Sequence, residues 1–149
     1  MRVLLDTNIL LDLFLEREPF VEDAAAILAQ HQQGVFDGYV SAITPVNLFY
    51  ITRKMKGVAG AKRLVAEVLT TFEVCPVTSA VLRAAVAHPM PDYEDAVQYL
   101  SATLLGLDAI VTRNTQDYQA VTIPVYDPPR FRTLLRTSSL DDTDQASTR

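Results

Sequence analysis

Short apolar runs without turn residues alternate with helical patterns along almost the whole chain, and no other sequence feature limits the fold as strongly. Arg2-Val3-Leu4-Leu5 opens as such a run, and Asp6-Thr7-Asn8 ends it before a short helix over residues 9–15. Pro19 starts a second helix, with Phe20, Ala24, Ile27 and Leu28 as its apolar stripe and Gly34 as its stop. A strand over 36–42 leads to a helix with Thr44 as N-cap and Pro45 at its first position. Gly57 and Gly60 interrupt that helix, which resumes over 61–71. A third strand spans 72–77, and Thr78 caps a short helix to Ala87. A further helix follows Asp92, then a fourth strand over 109–112 and a fifth over 121–126. Pro124 cannot donate to a ladder, so the fifth strand belongs at a sheet edge. Pro128-Pro129 opens a last helix through Leu135. Apolar strands separated by helices predict a mainly parallel, five-stranded α/β sheet covered on both faces.

At 149 residues the chain suits one domain with one core. The expected division is a folded unit over residues 1–136 and a polar, disordered tail over 137–149. The single cysteine, Cys75, excludes an intrachain disulfide framework and any Cys-based zinc site, and it fits a reducing cytoplasm. No apolar segment reaches the roughly 18 residues needed to span a bilayer, and no secretory signal opens the chain. A cytoplasmic protein is therefore expected, without membrane partners. A net charge of −5 argues against a nonspecific DNA coater, but leaves room for a nucleic-acid enzyme with a local basic face.

The stretch with the most chemistry is Asp92-Tyr93-Glu94-Asp95, three carboxylates in four residues at the start of a helix. Capping explains one of them, because Asp92 suits an N-cap and acids favour the positive end of a helix dipole. Three crowded carboxylates repel one another unless a cation lies between them. Asp6 follows the first strand and Asp117 follows the fourth, and the strand ends of an open α/β sheet are where ligands bind. Asp6 or Thr7 as a mere cap is the alternative, but the position of Asp6 directly after a fully apolar strand favours function. Asn47 falls in the first turn of the helix after the second strand, facing the same region.

Converging carboxylates without histidine or thiolate suit a hard divalent cation, Mg²⁺ or Mn²⁺, which lowers the pKa of a bound water for attack on a phosphodiester. The chain has no phosphate-binding G-x-x-x-x-G-K-[ST] loop and no G-x-S-x-G elbow. A haloacid-dehalogenase-like site is disfavoured by Asn8, and a receiver domain by Pro76-Val77-Thr78. Arg53, Lys54, Lys56, Lys62 and Arg63 form an acid-free basic run, either a solvated face or a phosphate contact. His88, alone in a loop, is a weak candidate for a metal ligand.

Asp6-Thr7-Asn8, Ser41-Ala42-Ile43-Thr44-Pro45, Glu94-Asp95-Ala96-Val97-Gln98 and Thr112-Arg113-Asn114-x-x-Asp117-Tyr118 together resemble the PIN domain family, in its order and spacing. The resemblance implies a three-layer α/β/α sandwich and a metal-dependent ribonuclease. It is similar to the VapC-type toxins of toxin–antitoxin pairs, which implies RNA as substrate, an antitoxin as partner and a homodimer as the common assembly. Carried over by motif, Asp6, Asp95 and Asp117 hold the metal, and Thr7 or Asn8, Thr112 and Asn114 support them. Asp92 and Glu94 flank the site, and Arg53, Lys54, Lys56 and Arg113 guide the RNA backbone. One residue departs from the family pattern. Asn47, counted with Asp6, Asp95 and Asp117 in the catalytic set, stands where a glutamate is usual. Its carbonyl oxygen can still ligate a cation but adds no charge. That predicts weaker metal binding and reduced or lost activity, or a binding module that holds RNA or protein without cutting.

Overall fold

The computed structural model describes residues 1–146. The strands are β1 (Arg2–Leu5), β2 (Asp37–Ser41), β3 (Glu73–Cys75), β4 (Ala109–Val111) and β5 (Val125–Tyr126). The helices are α1 (Thr7–Phe14), α2 (Val21–Gln32), α3 (Ile43–Thr71), α4 (Ser79–Ala87), α5 (Tyr93–Leu104) and α6 (Pro128–Ala146). The sheet runs in the order β3-β2-β1-β4-β5 and every pairing is parallel. β1 is central, with Val3 opposite Gly38 of β2 and Leu4 opposite Ile110 of β4. β5 lies at the edge, where its preceding Pro124 costs no ladder bond.

The strands read as continuous apolar runs because both faces of the sheet are covered. Val3 and Leu5 of β1 join one core with Ile9, Ile27, Leu48, Val68 and Phe131, from α1, α2, α3 and α6. Leu4 points the other way, into a second core with Val81, Ala96, Val97 and Ala102, from α4 and α5. β4 repeats the division, with Ala109 and Val111 on the first side and Ile110 on the second. The result is the expected three-layer sandwich.

Three local expectations are corrected. Thr44 is not the N-cap of α3, which starts at Ile43 behind Ala42 with no side-chain cap. Thr44 is instead buried, sharing a 2.9 Å hydrogen bond between its hydroxyl and that of Thr7. The interruption of α3 lies at Gly57 alone, whose φ of 70° an L-residue rarely adopts, whereas Gly60 continues the second half of the helix. Finally, α6 does not stop near Leu135 but spans Pro128–Ala146. Phe131 and Leu135 anchor the first turns in the core, and extending a nucleated helix gains one hydrogen bond per added residue. The hydroxyls of Thr137 and Ser138 also donate to the Leu134 carbonyl, at 2.8 and 3.1 Å. Residues 147–149 of the expected tail lie outside the described residues.

Candidate active site

The chain adds β2 and β3 on one side of β1, then crosses back to place β4 on the other. The gap beyond the carboxyl ends of β1 and β4 is thus a topological switch point, where loops part and leave a crevice. A cavity of about 390 Å³ opens there, and Asp6, Asn8, Asn47, Asp92, Glu94, Asp95, Asn114 and Asp117 all line it. Tyr50 and Ile51 of α3 form part of its wall.

Asp6 is the most constrained of these acids. It is 4% exposed and caps α1 by accepting the Asn8 N–H at 3.4 Å. Its Oδ2 accepts the Thr112 hydroxyl at 2.6 Å and the Asn8 side-chain amide at 3.1 Å. Its Oδ1 accepts the amide of Gln98 at 3.1 Å. Thr112 in turn accepts the backbone N–H of Asn114 at 3.0 Å, which ties the loop after β4 to the end of β1. Capping and site placement therefore coexist in one residue. The same holds for Asp92, which caps α5 by accepting the Asp95 N–H at 3.0 Å and also faces the cavity.

Asp95 lies in the first turn of α5, 6% exposed. Burial, followed by the charges of Asp6, Asp92, Asp117 and Glu94, pushes its carboxyl up to about 7. Glu94 is also raised, by burial of its carboxyl and by Asp6, although the hydrogen bond from Asn47 opposes the shift. Asn47 Nδ2 donates to Glu94 Oε1 at 2.8 Å. Asp117 ends a single 3₁₀ turn, Thr115–Asp117, after β4.

Whether such a site suits a divalent cation follows from its donors. All are hard oxygens, and the mutual repulsion that raises Asp95 is what a cation would relieve. Among the described residues no three His, Cys, Asp or Glu side chains form a ready-made metal cluster. The hard-oxygen donors lining the cavity fit a divalent cation. His88 is not part of it, since its Nδ1 accepts the Met90 N–H at 3.3 Å.

The PIN domain family model matches residues 2–116, a span that contains β1 through β4 and all but the last of the cavity acids. The chain belongs to the PIN domain family. No curated protein is similar enough to match it. Its fold is similar to that of FitAB bound to an IR36 DNA fragment, at 22% identity and a TM-score of 0.65, covering 85% of this chain and 94% of that one. A toxin–antitoxin complex from Klebsiella pneumoniae is 26% identical, with a TM-score of 0.63 and coverage of 85% and 97%. VapC20 of Mycobacterium tuberculosis, described as a sarcin–ricin loop cleaving toxin, is 15% identical, with a TM-score of 0.59 and coverage of 72% and 86%.

In this PIN domain, two residues that hold the acids are absent from the set expected by sequence. Gln98 has no exposed surface, and Tyr118, also buried, donates its hydroxyl to Asp95 Oδ1 at 3.4 Å. Burial and the nearby Asp6 and Asp95 charges raise the Tyr118 hydroxyl, so it stays a donor. A polar Gln98 one turn after Asp95, on the buried face of α5, was the available signal. The expected basic contacts separate in space. The Arg53 guanidinium lies 4.7 Å from the ring centre of Tyr50, part of the cavity wall, and Lys54 is exposed. Lys56 instead lines a different groove with Phe14 and Glu67. Arg113 is committed elsewhere, with its Nε 2.6 Å from Oδ2 of the buried Asp12 and its guanidinium stacked over Phe20. Among the described residues no helix is long and apolar enough to cross a membrane.

Proposed function

We propose that this protein is a Mg²⁺- or Mn²⁺-dependent endoribonuclease, acting as the toxin of a toxin–antitoxin pair. The observation that carries the reading is the convergence of Asp6, Asp95 and Asp117, from three distant parts of the sequence, on one cavity at the sheet switch point. Membership of the PIN domain family and the likeness to a toxin–antitoxin complex and to a cleaving toxin support it. An antitoxin partner, and a homodimer as the working assembly, belong to the same reading.

Asp6, Asp95 and Asp117 would hold the metal. A bound ion would supply a water of lowered pKa and stabilise the leaving oxygen. The chain contributes position. Thr112, Gln98 and Asn8 fix both oxygens of Asp6, so that carboxylate needs little rearrangement to receive a cation. Tyr118 and the Asp92 cap do the same for the first turn of α5. Asn114 presents a neutral amide beside the acids, suited to a phosphate oxygen or a sugar hydroxyl. Arg53, beside the cavity wall, is the best placed of the basic side chains to meet an RNA backbone.

The test is cleavage of a mixed pool of structured and single-stranded RNAs by partner-free protein, with Mg²⁺, Mn²⁺ or EDTA, beside Asp95→Ala. Metal-dependent cleavage that disappears in the variant is expected. Folded protein that cleaves nothing in either metal assigns the chain to the alternative, a PIN-like module that binds RNA or protein without cutting.

A further inference from the structure

Asn47 and Glu94 reach the same cavity from two helices, Asn47 near the start of α3 and Glu94 in the first turn of α5. Their 2.8 Å hydrogen bond, at the exposed rim, joins the two helices and orients the exposed Glu94 carboxylate. Resting on the nuclease reading above, we infer that Glu94 supplies the site's fourth carboxylate and that Asn47 positions it. Where the family pattern puts an acid on the α3 helix, this chain has an amide that faces the α5 acid Glu94. With an amide at 47, the cavity avoids two glutamates facing each other at hydrogen-bond distance. Asn47 uses its N–H on Glu94 Oε1, and among the described residues Glu94 Oε2 receives no protein donor. That second oxygen is therefore available to a cation or to one of its waters. On this account Asn47 does not make the site a three-acid remnant.

The experiment is calorimetric titration of Mn²⁺ into the full chain without RNA, for the native protein, Glu94→Gln, Asp95→Asn and the double variant Asn47→Glu/Glu94→Gln. Gln at 94 still accepts from Asn47, so a lost affinity in that variant reports the missing charge and not a broken contact. Glu94→Gln is expected to bind Mn²⁺ about tenfold more weakly, since affinity follows ligand charge count. The double variant, which returns the acid to α3, is expected to recover most of that loss. Native affinity in Glu94→Gln, beside clear loss in Asp95→Asn, overturns the assignment of Glu94 and leaves the nuclease reading standing. Absence of Mn²⁺ binding by the native chain overturns both.

Discussion

Gln98, fully buried on α5, donates its side-chain amide to Oδ1 of Asp6 at the end of β1, 3.1 Å away. This bond joins the helix that carries Asp95 to the strand that carries Asp6. The Gln98 carbonyl Oε1 has no partner among the described residues, so the residue pays an unsatisfied acceptor to keep its donor on Asp6.

That arrangement predicts a separation of stability from activity. Gln98→Leu removes the orphaned acceptor together with the bond to Asp6, so its unfolding free energy should stay within about 1 kcal/mol of native. RNA cleavage should fall by roughly ten- to a hundredfold, because a hydrogen bond to a charged group contributes roughly 1.5–3 kcal/mol. Urea denaturation and single-turnover cleavage measure the two. Full cleavage by the variant would remove Gln98 from any positioning role.

The raised carboxyl of Asp95 makes stability depend on pH. In the unfolded chain Asp95 titrates in the usual carboxylate range, about 4. Between there and about 7 the folded protein holds a proton that the unfolded chain has lost, so this residue's stabilisation is full below pH 4 and is lost as pH rises through 7. The raised Glu94 adds in the same direction. In EDTA, Asp95→Asn should therefore melt higher than native at pH 8, by on the order of 5 °C, and the gap should close towards pH 5. A gap independent of pH would show that the carboxyl is not raised.

Arg113 should act on stability before it acts on RNA. Asp12 is 1% exposed, and burial raises its carboxyl even though Arg113 and Arg17 pull it down. Arg113→Ala leaves that acid buried beside only the distant Arg17, at 4.0 Å, and is expected to cost about 3 kcal/mol in urea denaturation. Unchanged stability with weakened RNA binding would restore the phosphate-guiding role to Arg113.

His31 clasps three elements together. Its Nε2 donates to the Thr71 carbonyl at the end of α3 at 2.8 Å, and its Nδ1 accepts the Gly38 N–H of β2 at 3.1 Å. The ring also stacks on Phe72, with centroids 5.0 Å apart. His31→Leu keeps the apolar contact and leaves the Gly38 N–H unsatisfied, so a loss of about 2 kcal/mol is expected by chemical denaturation. An equal loss in cleavage after correction for folding would argue against a purely structural role.

The sequence by itself determined the strand–helix alternation, the edge position of β5 and the acids that follow β1 and β4. These features are local: apolar runs, proline and cap chemistry act within a few residues of themselves. It also determined that Asn47 breaks the family's acidic pattern, but not what the amide does. Only the tertiary structure brought Asn47 against Glu94, Gln98 and Thr112 against Asp6, and Arg113 against Asp12. Those partners lie on elements far apart in the chain, and the crossover that sets β4 beside β1 is what makes them neighbours. The helical continuation of α6 past Leu135 is likewise tertiary in origin, because a polar segment with no apolar stripe carries no periodic signal of its own. It extends a helix that Phe131 and Leu135 have already fixed against the core.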